Sequence, residues 1–68
     1  MMSKLQDKRL ECNLSQSQLA KASGVNVRLI QHYEQGFRDI NRASVVTVMK
    51  LAEALGCEIQ DVLDDGIV

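Results

Sequence analysis

Arg28, Gln31 and His32, with Val27 before them and Gln35 after, form the run of side chains in this chain best suited to hydrogen-bonded recognition. Steps of three and four place them on one arc of a helix, opposite Ile30 and Tyr33. Arg28 offers a planar fork of donors, Gln31 an amide that donates and accepts, His32 a ring nitrogen, and Val27 a methyl surface. Such a set matches polar edges and does not build a reaction centre. The chain has a single histidine, no nucleophile–base pair at recognisable spacing, no metal-ligand cluster and no phosphate-cradling glycine loop. We therefore expect no enzyme, no catalytic residue, no metal, no cofactor and no small-molecule ligand. Polar residues on an outward helix face are by default only solvated, so recognition has to be argued from what positions them.

The flanking residues do position them. Ser15 with Gln18 three residues on is a capping box, which starts a short helix at about 16–23. Leu19 and Ala20 give that helix an inward face. Gly24 stops it, because glycine adopts positive φ without a Cβ clash. Val25 plugs the corner, and Asn26 caps the next helix, about 27–35. There Ile30 and Tyr33 face in, with Leu29 at the edge, and Gly36 ends the helix. Two helices joined by a three- to four-residue turn containing glycine make the helix-turn-helix pattern.

The string Gln16-x-x-Leu19-Ala20-x-x-x-Gly24-Val25-x-x-x-x-Ile30-x-x-Tyr33-Glu34-x-Gly36 resembles the Cro and phage-repressor type of helix-turn-helix domain, and Leu55-Gly56 extends the likeness over roughly residues 4–64. The resemblance implies an all-α, compact five-helix, lambda-repressor-like fold in which helices 2 and 3 form the helix-turn-helix. It further implies a DNA reader whose helix 3 lies in the major groove while helix 2 crosses the backbone. In that setting Arg28 forms a bidentate pair with a guanine edge and Gln31 pairs with adenine or bridges through water. Val27 touches a thymine methyl, and His32 donates to an acceptor or reaches a phosphate. Gln16 opens helix 2, where free N–H groups favour an anion. The family also places a phosphate-contacting glutamine at this position. Ser17, Asn26, Gln35, Arg38 and Arg42 complete the phosphate-contact candidates.

The remaining residues supply the scaffold. Ser3 and Gln6 cap a first helix at about 4–12, with Leu5, Arg9 and Cys12 on its inward face and Leu10 beside them. An inward arginine needs a partner, since an unpaired buried charge is very costly. Glu34 is the candidate, and Arg9 and Glu34 occupy the positions of an internal Arg–Glu pair frequent in the family. Asn13-Leu14 forms the first turn, with Leu14 returning to the core. In the loop 36–41, which lacks the proline the family commonly places there, Phe37 either folds back as an anchor for helix 4, the preferred reading, or stands exposed at a dimer or DNA surface. Asn41 is the expected cap of helix 4, about 42–55, with Val45, Val48, Met49, Leu51, Ala52 and Leu55 at helical spacing. Gly56 stops it. Glu58 and Asp61 put acid at the start of helix 5, about 59–64, with Ile59, Val62 and Leu63 inward. Asp64-Asp65-Gly66 ends that helix, and an apolar tail, Ile67-Val68, either frays or packs across a dimer seam.

With 68 residues and 46% hydrophobic content, the chain is expected to form a single domain, 1–68, around one small helical core. No stretch nears the ~20 apolar residues that span a membrane, and no secretion signal is evident, so the expected location is cytoplasmic. Cys12 and Cys57 read as small buried apolar groups, with a disulfide disfavoured in a reducing compartment. The net charge of −1 hides an asymmetry: all eight Lys and Arg lie in residues 1–50 with Asp7, Glu11, Glu34 and Asp39, giving +4, while Glu53, Glu58, Asp61, Asp64 and Asp65 give the remainder −5. A basic side with an acidic far end is compatible with phosphate binding. The expected function is a sequence-specific transcriptional regulator on a double-stranded DNA operator, a homodimeric repressor that occludes a promoter. The alternative is a protein–protein interaction module that docks through the acidic C-terminal helix.

Overall fold

The computed structural model describes residues 3–64. Four α-helices and two single 3₁₀ turns follow one another: α1 Lys4–Glu11, α2 Gln16–Ser23, α3 Val27–Gln35, a turn Ile40–Arg42, α4 Val45–Leu55 and a turn Ile59–Asp61. There is no strand among the described residues. The all-α class therefore holds, with four helices rather than five, because the segment expected as helix 5 closes only one 3₁₀ turn. The expected Asp65-Gly66 stop and Ile67-Val68 tail lie outside the described residues.

Each helix start is fixed by a side chain that satisfies an otherwise orphaned backbone N–H. Ser3 Oγ accepts from Gln6 N at 3.0 Å. The Ser15 box is reciprocal: Ser15 Oγ accepts from Gln18 N at 3.0 Å, and Gln18 Oε1 from Ser15 N at 2.8 Å. Asn26 Oδ1 accepts from Arg28 N at 2.8 Å. Between α2 and α3, Gly24 sits at φ 75°, and Val25 is buried in the corner it makes.

The start of α4 differs from expectation. Ser44, not Asn41, caps it, accepting from Thr47 N at 3.2 Å. Asn41 is occupied elsewhere: its Oδ1 accepts from Asp64 N at 2.9 Å and its Nδ2 donates to Asp64 O at 3.2 Å. This two-way amide clamp fastens the end of the described chain to the α3–α4 loop. We expect Asn41→Ala to cost about 1 kcal/mol, the usual worth of such bonds, and to raise amide exchange at Asp64 before other sites; unchanged exchange there would remove the clamp.

Leu5, Leu19, Ile30, Ile40, Leu51 and Val62 are fully buried, with Val25, Tyr33, Val48, Ala52 and Leu55 nearly so. α2 packs on both α3 and α4, and α1 closes against α3 and the 59–61 turn. Lys4 Nζ reinforces that closure by donating to Gln60 O at 2.9 Å. Four expected inward positions are corrected. Phe37 does not anchor the loop: it is 74% exposed, and Ile40, 1% exposed, fills that role. Val45 and Met49 lie on the outer side of α4, because Val48, Leu51, Ala52 and Leu55 already form the stripe that reaches the core. Cys12 is exposed at the C-cap of α1, with its thiol directed to Leu55 O at 3.6 Å, and Leu10 is exposed beside it. Cys57 is half-buried; burial, then Asp61, pushes its pKa up, which disfavours the reactive thiolate.

Candidate nucleic-acid interface

The α3 face is presented by a helix that is held at both ends and along its back. Asn26 caps its start, Gly36 at φ 83° ends it, and Ile30 and Tyr33 anchor its inner side. Arg28 and Gln35 are exposed, and Val27, Gln31 and His32 are half-buried. Arg28 is the second residue of the helix, with its backbone N–H already satisfied by Asn26, so its side chain projects from a fixed start. His32 meets the exposed Phe37 ring edge-on, with centroids 5.9 Å apart at 80°. That contact sits where the backbone turns back, Phe37 N and Arg38 N both donating to His32 O at 2.9 and 3.2 Å.

Two shallow clefts flank α3. One, about 590 Å³, runs between α2 and the start of α3 and places Ser17, Asn26 and Val27 together with Lys21. Lys21 is absent from the sequence-derived candidates, although it lies one turn after Ser17 and that spacing was available to find it. The other, about 380 Å³, lies between the C-terminal half of α3 and the start of α4. It places Arg38 and Arg42 together, with the hydroxyl-bearing Ser44 and Thr47 on the same wall. Arg38 and Arg42 are exposed, so both guanidinium groups are available to an anion. Of the phosphate-contact candidates, Ser17 and Asn26 thus line the cleft at the start of α3, and Arg38 and Arg42 the cleft towards its end.

Behind this face a charged network joins three helices. Arg9 Nε donates to Glu34 Oε2 at 2.7 Å and Arg9 Nη2 to Glu34 Oε1 at 2.9 Å, a bidentate fork on a carboxylate. Arg9 Nη1 donates to Leu14 O at 2.8 Å. Gln16 Nε2 donates to Glu34 Oε1 at 3.0 Å. Arg9 is 7% exposed overall and the Glu34 side chain 2%. The hydrogen bond to Glu34, outweighing burial, holds the Arg9 pKa above its ordinary value. Among the described residues no buried side-chain nitrogen or oxygen lacks a partner. The network ties the start of α2 to the end of α3 and so fixes the angle of the helix pair. Gln16 therefore has a structural bond that sequence reasoning did not assign to it.

Among the described residues no cluster of three or more His, Cys, Asp or Glu could hold a metal, and no helix is long and apolar enough to cross a membrane. Comparison with curated proteins and with solved structures returned no match. Comparison with family profiles was decisive: the helix-turn-helix profile matches residues 5–62, from the core leucine of α1 to the buried valine after the 59–61 turn. That span takes in every element by which α2 and α3 are held, and the chain belongs to the helix-turn-helix family of Cro and phage-repressor type, whose members are DNA-binding regulators.

Proposed function

We propose that this chain is a sequence-specific transcriptional repressor that acts as a homodimer, with α3 in the major groove and α2 across the backbone. The observation that carries this reading is the arrangement of α3: an outward Arg28, Gln31 and His32 face on a helix locked from behind by Arg9, Glu34 and Gln16. A recognition helix needs that rigidity, because a bidentate base contact tolerates little change of angle. In the roles we assign, Arg28, Gln31, His32 and Val27 read base edges. Ser17 and Asn26 hold phosphates at the start of α3, and Gln16, Gln35, Arg38 and Arg42 hold them towards its end, where Gln16 meets Glu34. Lys21 joins the first group. Repression follows from occupying a promoter, and two copies supply the contacts that one small domain lacks.

Selection from a pool of random duplexes at moderate salt tests this directly. The expected product is an enriched palindrome with half-sites about 10 base pairs apart, centre to centre. Its affinity should fall steeply and linearly with salt on logarithmic axes. No enrichment above a salt-sensitive background would overturn the reading. The alternative, docking of a protein partner, would use an acidic surface on the end of α4 and the single 3₁₀ turn at residues 59–61 in place of a fifth helix, and partner binding without DNA affinity would favour it.

A further inference from the structure

α4 turns a second face outward. At its N-terminal end Val45 and Val46 are 66% and 60% exposed. Met49, Lys50 and Glu53 follow, all exposed. At its C-terminal end the same face opens into a dent of about 170 Å³, lined by Met49, Ala52, Glu53, Cys57, Glu58 and Ile59. None of these residues has a role in the α3 face or its two clefts.

Val46, Lys50 and Glu53 are separated by steps of four and three, so they share one stripe of the helix. From N- to C-terminus the stripe reads apolar knob, cation, anion, dent. That order is complementary to itself only when reversed. Laid antiparallel on a second copy, about a two-fold axis between Lys50 and Glu53, each Val46 meets the other's dent. Each Lys50 then meets the other's Glu53. The acidic rim of the dent, Glu53 and Glu58, faces the end of the stripe that carries the cation. A parallel arrangement would set Lys50 on Lys50 and Glu53 on Glu53. The antiparallel arrangement also opposes the two helix dipoles.

We propose that this face of α4 is the homodimer seam, an isologous antiparallel contact in which two Lys50–Glu53 pairs fix the register and two Val46 knobs fill two dents. It rests on the homodimer part of the function proposed above. The occupant is a second copy of this chain, because the stripe's own charge order is what complements it.

Sedimentation of the full chain without DNA, over a range of concentrations, tests the seam. A concentration-dependent dimer is expected. Lys50→Glu and Glu53→Lys each set like charges together at both copies of the contact, and each should weaken dimerisation by about tenfold or more. The double variant Lys50→Glu/Glu53→Lys should return it to within a few-fold of the original. Val46→Asp should weaken it without rescue. All three positions are exposed, so thermal unfolding compared at a concentration where every form is monomeric should be little changed and will report any variant that fails to fold. A dimer indifferent to every one of these changes would overturn the seam and leave the homodimer standing. A monomer at all concentrations would overturn both, while the duplex selection would still decide DNA reading independently.

Discussion

Replacing Arg9 by methionine lowers the stability of the fold by about 3–5 kcal/mol, the cost of breaking a buried ion pair by removing one partner. Methionine keeps most of the aliphatic stem, so the loss is not one of packing volume. It leaves the Glu34 carboxylate, whose side chain is 2% exposed, without its two strongest donors, and Leu14 O without its donor. At roughly 0.05–0.15 kcal/mol per residue, the whole chain has about 3–10 kcal/mol to lose, so the variant should be largely unfolded near the lower end of that range. Arg9→Met combined with Glu34→Leu should recover most of the loss, since replacing both members of a buried pair with apolar groups is often neutral. Urea titration followed by circular dichroism measures both. Unchanged stability in the single variant, or a double variant no better than the single, would refute the pair's structural role. The sign of the pH dependence is also set. Arg9 has a raised folded pKa, so its contribution is fully present below the ordinary arginine value and is lost only as pH rises through the folded value, far above neutrality.

The network links this stability to the site. Gln16 reaches the same Glu34 oxygen as Arg9 Nη2, so the start of α2 and the end of α3 share one acceptor. A variant that removes the acceptor removes the brace between the two helices that present the candidate contacts. The double variant therefore separates two effects: a fold that is restored, and a helix pair that has lost its brace. Weaker DNA binding at recovered stability is the expected outcome.

What was legible in the sequence is what is decided locally. Ser15, Gly24, Asn26 and Gly36 each act on backbone within four residues, so the ends of α2 and α3 could be read directly. Which side chains share the outer arc of α3 follows from the helical period alone. The differences arise where a distant contact decides. Asn41 and Ser44 are both good caps, and the choice was made by Asp64, 23 residues away, which claims the Asn41 amide. The 3- and 4-residue spacing of Ile59, Val62 and Leu63 reads as a helix, but one 3₁₀ turn suffices to bring Val62 into the core. Phe37 outranks Ile40 in size, yet position within the loop determines which side chain reaches the interior. Likewise, the bond from Gln16 to Glu34 cannot be seen until α2 and α3 are set at their angle, whereas Lys21 could have been found from its spacing one turn after Ser17.

Arg28→Ala should lower affinity for the selected operator by about 1–3 kcal/mol, the worth of one bidentate base contact, or roughly five- to 150-fold. Affinity for unrelated duplex should fall much less. The reasoning begins with position: N-terminal residues of a recognition helix contact base edges, and Arg28 is the second residue of α3, exposed, on backbone fixed by Asn26. Its removal should disturb little else, because Ile30 and Tyr33 anchor the helix from the other side. Arg38→Gln is the comparison. Arg38 lies in the cleft beside α4 and not on the arc of Arg28. As a phosphate contact it should lose affinity evenly across sequences and reduce the salt slope by about 1. Titrating both variants against operator and unrelated duplex at several salt concentrations gives the two patterns side by side. Equal losses on both duplexes for Arg28→Ala would move Arg28 from the base-reading set to the phosphate set, and leave Gln31 and His32 to carry specificity.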